Sequence, residues 1–159
     1  QEASIFRDLT VRDNIDLALQ NSSYSFAALR SRREQLINEF NLNKFVDNYG
    51  FQLSGGERRR CEIARALSVG RKGPKYLLLD EPFAGIDPLA VNDLKKLILK
   101  LSNSGVGILI TDHNVRETLL ITNKSYVLSE GRILAYGTSR ELANNPIVKK
   151  HYLGDSFRL

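Results

Sequence analysis

The sequence predicts an α/β fold in which a helical first part leads into a parallel βαβ unit. Three observations point there. Residues 1 to about 70 carry apolar side chains at helical spacing and no convincing strand. Two short apolar runs, Tyr76-Leu77-Leu78-Leu79 and Gly107-Ile108-Leu109-Ile110-Thr111, then bracket an amphipathic stretch, giving strand, helix, strand. Between the two parts, Leu53-Ser54-Gly55-Gly56-Glu57 has the capping pattern of a helix start.

Each element has a local reason. Thr10 caps a segment with Val11, Ile15, Leu17 and Leu19, with Asp13 in its first turn. Phe26, Leu29, Arg33, Leu36, Ile37 and Phe40 give a longer amphipathic pattern. Asn43 starts a short helix through Phe45 and Val46, ended near Gly50. Ser54 and Glu57 open the next helix, with Ile63, Ala64 and Leu67 on its apolar side.

The run Tyr76–Leu79 is continuous, as in a strand buried on both faces. Asp87-Pro88 reads as N-cap plus first helical residue, with Leu89, Leu94, Leu97, Ile98 and Leu101 forming the apolar side. A parallel strand pair is expected, joined by a right-handed crossover. Tyr126–Leu128 and Arg132–Ala135 flank the turn Ser129-Glu130-Gly131, a hairpin. Thr138 to Glu141 is a second capping box.

Composition narrows the function. The chain has 159 residues, 42% hydrophobic and 26% charged, enough to bury a real core. No apolar run approaches the roughly 20 residues of a membrane-spanning helix. One cysteine, Cys61, excludes an internal disulfide, and no His/Cys cluster has zinc-ligand spacing. The net charge of +5 is scattered, with no aromatic residues interleaved among Arg30 to Arg33, Arg58 to Arg60 or Lys149-Lys150. Solvated helix faces explain those clusters better than nucleic-acid binding does.

Three features carry chemistry. Gly55 and Gly56 leave backbone accessible at a helix N-terminus, where N–H groups and positive potential suit a phosphate. Taken alone, the run fits an ordinary capped helix equally well. Asp80-Glu81 follows Leu77–Leu79, at the strand end where α/β proteins place ligands. Consecutive carboxylates leave a strand in different directions, so Asp80 could hold Mg²⁺ while Glu81 accepts a proton from water. A solvated strand end is the alternative. His113, after Asp112, follows the second strand at the equivalent end. If the strands are neighbours, His113 and Glu81 share an edge, although a lone histidine is more often a packing or surface residue.

In their joint order these features resemble the ATP-binding cassette ATPases. In that resemblance Leu53–Glu57 is the signature motif, Leu77-Leu78-Leu79-Asp80-Glu81-Pro82 the Walker B strand with its catalytic glutamate, Gly85-Ile86-Asp87 the D-loop, and His113 the switch histidine. Gln1 falls at the Q-loop glutamine. Within the superfamily, Gln1-Glu2-Ala3-Ser4-Ile5-Phe6-Arg7, Glu57–Arg60, Pro82–Pro88, Thr111–Thr118 and Tyr152–Leu159 look like the ATPases of lipopolysaccharide exporters. Branched-chain amino-acid importer ATPases are the nearest rival, and non-transport cassette proteins a further one.

The resemblance implies the following expectations. The fold is the C-terminal two-thirds of a P-loop cassette: a helical subdomain plus part of a mainly parallel RecA-like sheet. Residues 1–70 hold the Q-loop and the helical subdomain ending in the signature helix. Residues 71–159 hold the Walker B, D-loop and switch-histidine part, with a C-terminal hairpin and helices. Glu81 and His113 are catalytic; Gln1, Ser54, Gly55, Gly56 and Asp87 contact or couple nucleotide; Asp80 and Gln1 hold Mg²⁺. The cofactors are ATP and Mg²⁺.

A second ATPase subunit and transmembrane permease subunits are the implied partners, the latter through a coupling-helix groove near Ile5 and Phe6, with no nucleic acid. The protein would work in the cytoplasm, peripheral on the inner face of the inner membrane. No Gly-x-x-x-x-Gly-Lys-[Ser/Thr] occurs in these 159 residues. The Walker A loop and its strand are therefore expected ahead of Gln1, and this stretch alone is expected to be inactive and to leave an open sheet edge and uncovered apolar surface.

Overall fold

A computed structural model describes residues 4–20, 25–70 and 73–154. The chain divides into two compact units, Gln1–Thr111 and Asp112–Leu159.

The first unit begins with helix α1 (Val11–Gln20), α2 (Phe26–Glu39) and α3 (Gly55–Ala66). α1 packs on both others. Val11, Ile15 and Leu19 of α1, Leu36 and Ile37 of α2, Phe40, and Cys61, Ile63 and Ala64 of α3 are buried. Thr10 opens α1, its hydroxyl accepting from the Asp13 N–H at 3.1 Å. Asn43–Phe45 and Gly50–Gln52 are single 3₁₀ turns rather than longer helix. Leu17 and Phe26 belong to the helical patterns but lie exposed, Phe26 at 86%. The pattern places Phe26 in the first turn of α2, yet the buried face of that helix lies near its C-terminal end, at Leu36 and Ile37.

Buried Asn14 ties the preceding loop to α1. Its Oδ1 accepts from the Phe6 N–H at 2.9 Å, and its Nδ2 donates to the carbonyls of Phe6, Leu9 and Thr10 at 3.0, 3.2 and 2.9 Å. A buried amide needs such partners, since each unmet polar group costs about 1–3 kcal/mol.

Strand β1 (Tyr76–Asp80), helix α4 (Pro88–Asn103) and strand β2 (Gly107–Thr111) complete the unit. β1 and β2 are parallel, in register from Tyr76↔Gly107 to Asp80↔Thr111. The expected burial of β1 on both faces is corrected: Leu77 and Leu79 are buried, whereas Tyr76 and Leu78 are exposed. Successive side chains leave a strand on opposite faces, and among the described residues only one face is covered. Leu109 of β2 is likewise exposed. On α4, Leu94, Leu97, Ile98 and Leu101 are buried with Val91, whereas Leu89 is exposed.

The second unit holds α5 (Val115–Leu119), β3 (Ser125–Ser129), β4 (Arg132–Gly137), α6 (Ser139–Asn144) and α7 (Pro146–Val148). β3 and β4 form the expected antiparallel hairpin. Glu130 and Gly131 take positive φ at its turn, as a tight hairpin turn requires. Leu119, Val127, Leu142 and Val148 make a small core. The Thr138–Glu141 capping box forms, with the Thr138 N–H donating to Glu141 Oε2 at 2.7 Å.

Candidate functional site

The start of α3 is a reciprocal cap. Ser54 Oγ accepts from the Glu57 N–H at 3.4 Å, and Glu57 Oε2 accepts from the Ser54 N–H at 2.9 Å. Ser54 and Gly55 are exposed and Gly56 is buried. The two glycines have a reason the sequence alone did not reveal. A β-carbon on Gly55 would lie 3.0 Å from both the Gly85 carbonyl oxygen and Ile86 Cγ2. One on Gly56 would lie 2.6 Å from Ala90 Cβ. The bare backbone at the start of α3 therefore admits the loop before α4, which brings Ser54-Gly55-Gly56 beside Gly85-Ile86-Asp87. Asp87 caps α4, its Oδ1 accepting from the Ala90 N–H at 2.9 Å.

Asp80 and Glu81 stand at the C-terminal end of β1. Asp80 is exposed, and its Oδ1 accepts a hydrogen bond from the Thr111 hydroxyl on β2. Parallel register sets this pair directly opposite each other. Glu81 leaves the strand with φ at +44°, a left-handed conformation that side-chain-bearing residues disfavour. Hydrogen bonds from three directions hold its peptide groups. The Glu81 N–H donates to the Thr111 carbonyl at 2.7 Å, and the Glu81 carbonyl accepts from the Ala84 N–H at 3.1 Å and from Arg59 Nη2 at 3.2 Å.

In the sequence, Arg59 belongs to a basic cluster read as a solvated helix face, with no part in the site; the structure pairs it instead. Its Nη1 pairs with Glu62 Oε2 at 2.8 Å, and Glu62 Oε1 accepts from the Ser4 N–H at 3.1 Å. Arg65, one turn on from Cys61, donates to the Ser4 carbonyl and lies over the Phe6 ring, 4.8 Å from its centroid. A cleft of about 430 Å³ is lined by Ser4, Arg59, Glu62, Asp80, Glu81 and Gly85 among others. The identities of Arg59 and Glu62 on one turn of a helix are a visible i,i+3 ion-pair signal; their long-range partners are not.

His113 belongs to the second unit, next to Asp112. Its Nδ1 lies 3.9 Å from Asp112 Oδ1, which accepts from the Asn114 N–H at 2.7 Å. The His113 side chain is exposed, and the Asp112 side chain is wholly buried. The structure thus sets Ser54, Gly55 and Gly56 beside the loop that ends at Asp87, and places Asp80 and Glu81 apart from them at the end of β1, all within the first unit. Gln1 lies outside the described residues. Ile5 is buried, and Phe6 is half exposed.

The oxygen chemistry at Asp80 suits Mg²⁺. No group of three or more His, Cys, Asp or Glu gathers among the described residues. An exposed carboxylate at a strand end, completed by waters and substrate phosphates, is nevertheless the usual mode for that ion. The exposed N-terminus of the twelve-residue helix α3 likewise suits a phosphate. No described helix is long and apolar enough to cross a membrane.

The fold and these motifs define an ATP-binding cassette, and the family model for ABC transporters matches residues 1–84. The chain belongs to the ABC transporter family. It is 51% identical over its whole length to the lipopolysaccharide export system ATP-binding protein LptB of Haemophilus influenzae, and 50% identical to that of Escherichia coli strain K12. It covers 65% of each of those proteins, so it spans just under two thirds of their length. Among solved structures it resembles cbiO1 of Clostridium perfringens, part of the ABC transporter complex cbiONQ, with a TM-score of 0.78 at 27% identity. That match covers 87% of this chain and 54% of the other. An ATP-binding cassette of an ABC transporter in its ADP conformation matches with a TM-score of 0.76 at 25% identity, covering 94% of this chain and 64% of that one.

Proposed function

We propose that this chain is the greater part of the ATP-binding and hydrolysing subunit of an ABC transporter that powers lipopolysaccharide export. The observation that carries the ATPase reading is the pair Asp80 and Glu81 at the C-terminal end of β1, with Asp80 bonded to Thr111 and Glu81 turned into a left-handed conformation. Identity of about half over the whole chain to LptB proteins supports the lipopolysaccharide assignment over amino-acid import.

Each residue then has a task. Asp80, with Gln1, would hold Mg²⁺, which supplies positive charge to phosphate oxygens when bound. Glu81 draws a proton from the attacking water, and His113 orients Glu81 and senses the γ-phosphate. Ser54 and the backbone at Gly55 and Gly56 meet the γ-phosphate of an ATP held by a second copy of the subunit. Asp87, beside those glycines, couples the two sites. Phosphoryl transfer is mostly positioning and charge stabilisation, so its parts divide readily between chains. Residues 1–70 act as Q-loop and helical subdomain, and residues 71–159 as the Walker B, D-loop and switch-histidine part.

The partners are a second ATPase subunit and transmembrane permease subunits, on the inner face of the inner membrane. Of Ile5 and Phe6, only Phe6 offers surface to a coupling helix, and Arg65 braces its ring. In the full-length protein, Glu81→Gln is expected to lower hydrolysis by about 10²–10⁴-fold, the usual worth of general-base catalysis, while ATP binding persists. Turnover close to that of the unmodified protein in a phosphate-release assay would remove Glu81 from this task.

A further inference from the structure

We propose that Arg59 and Glu62 are positioning residues that hold the Glu81 peptide in its left-handed conformation and tie it to the backbone at Ser4. The proposal rests on the reading of Glu81 as the water-activating carboxylate. Among the hydrogen bonds on the Glu81 peptide groups, one is made with β2 and one with the turn that follows Glu81. Another comes from α3, through Arg59 Nη2 at 3.2 Å. Arg59 is thus the contact by which the helix that begins at Ser54 fixes the direction in which Glu81 leaves β1.

The guanidinium is itself fixed. Its second nitrogen pairs with Glu62 at 2.8 Å, and the Glu62 side chain is only 8% exposed. A buried carboxylate requires partners on its oxygens. Glu62 has Arg59 on one oxygen and the Ser4 N–H on the other. Arg65 holds the carbonyl of the same Ser4 residue. A continuous path therefore runs Ser4, Glu62, Arg59, Glu81, through side chains with forked, directional geometry. Ser4 precedes Phe6, which faces outward from the same segment. A shift of this segment would reach the Glu81 peptide through two charged side chains. Misplacing a reacting group by about 1 Å can cost about 10²-fold in rate, so the aim of this carboxylate matters.

The test uses the full-length protein and measures kcat and KM for ATP, ATP binding and melting temperature. Arg59→Lys keeps a positive charge beside Glu62 but cannot fork to Glu62 and the Glu81 carbonyl together. It is expected to lower kcat about tenfold with KM and melting temperature nearly unchanged, consistent with loss of positioning alone. Arg59→Ala is expected to lose at least as much kcat, together with some stability. In a Glu81→Gln background, Arg59→Lys should cost nothing further in residual single-turnover hydrolysis, because two residues acting as one unit are not additive. Unaltered kcat in Arg59→Lys, or a kcat loss of the same size in the Glu81→Gln background, would overturn the relay. Retained turnover in Glu81→Gln itself would instead overturn the underlying assignment of Glu81.

Discussion

Gly56 and Ala90 approach so closely that a β-carbon on Gly56 would lie 2.6 Å from the β-carbon of Ala90. The start of α3 and the start of α4 are thereby locked together, and with them Ser54-Gly55-Gly56 and Asp87.

Gly56→Ala should therefore destabilise the protein, although alanine is the better helix former by up to about 1 kcal/mol. The clash wins because the Ala90 β-carbon is anchored to backbone and cannot rotate away; overpacking of this kind costs about 1–3 kcal/mol. Urea unfolding would measure it. The double variant Gly56→Ala with Ala90→Gly should recover part of the loss, because the two positions touch. Equal stability of Gly56→Ala and the unmodified protein would show that α3 and α4 can move apart freely.

Asp87 caps α4 through Ala90. Asp87→Ala is expected to cost about 1 kcal/mol of stability, read as a lowered denaturation midpoint. Asp87→Asn, an equally good cap, should keep nearly all of it. A hydrolysis defect in Asp87→Asn would then support the proposed coupling role of the Asp87 charge, separate from the cap. Loss of stability in both variants alike would assign the structural role to the carboxylate charge.

Cys61 is fully buried in α3, and burial pushes its thiol up to about 12, with Glu62 adding to that direction and Arg65 opposing it. The unfolded chain ionises its thiol near the ordinary value of 9.0. The thiol's contribution to stability is therefore fully present below about pH 9 and is lost as pH rises toward about 12. Alkylation by iodoacetamide at pH 8 should be far slower in the native protein than in urea, because the thiolate is the nucleophile. Comparable rates in the two conditions would contradict the burial.

Local chemistry explains why much of this was legible without a structure. Ser54 with Glu57, Thr138 with Glu141 and Asp87 with Pro88 are caps whose partners lie within four residues, so the chain announces them. The parallel pairing of β1 and β2 follows from two apolar runs around one amphipathic helix. Periodicity did not say which apolar residues find cover. Leu77 and Leu78 are chemically the same, yet one is buried and the other is 72% exposed, because burial depends on what packs against each face.

By itself the sequence determined the order of elements, the helix starts and the carboxylate pair Asp80-Glu81 after an apolar strand. These depend on spacing and on contacts between near neighbours along the chain. Only the tertiary structure decided that Gly55 and Gly56 make room for Gly85, Ile86 and Ala90, that Asn14 gathers the loop before α1, and that Arg59 and Glu62 join Ser4 to Glu81. Ser4 and Glu62 lie 58 positions apart, and Arg59 and Glu81 lie 22 apart. Such pairs are set by where α3 comes to lie relative to the residue after β1 and to the loop before α1, which no local pattern of residues encodes.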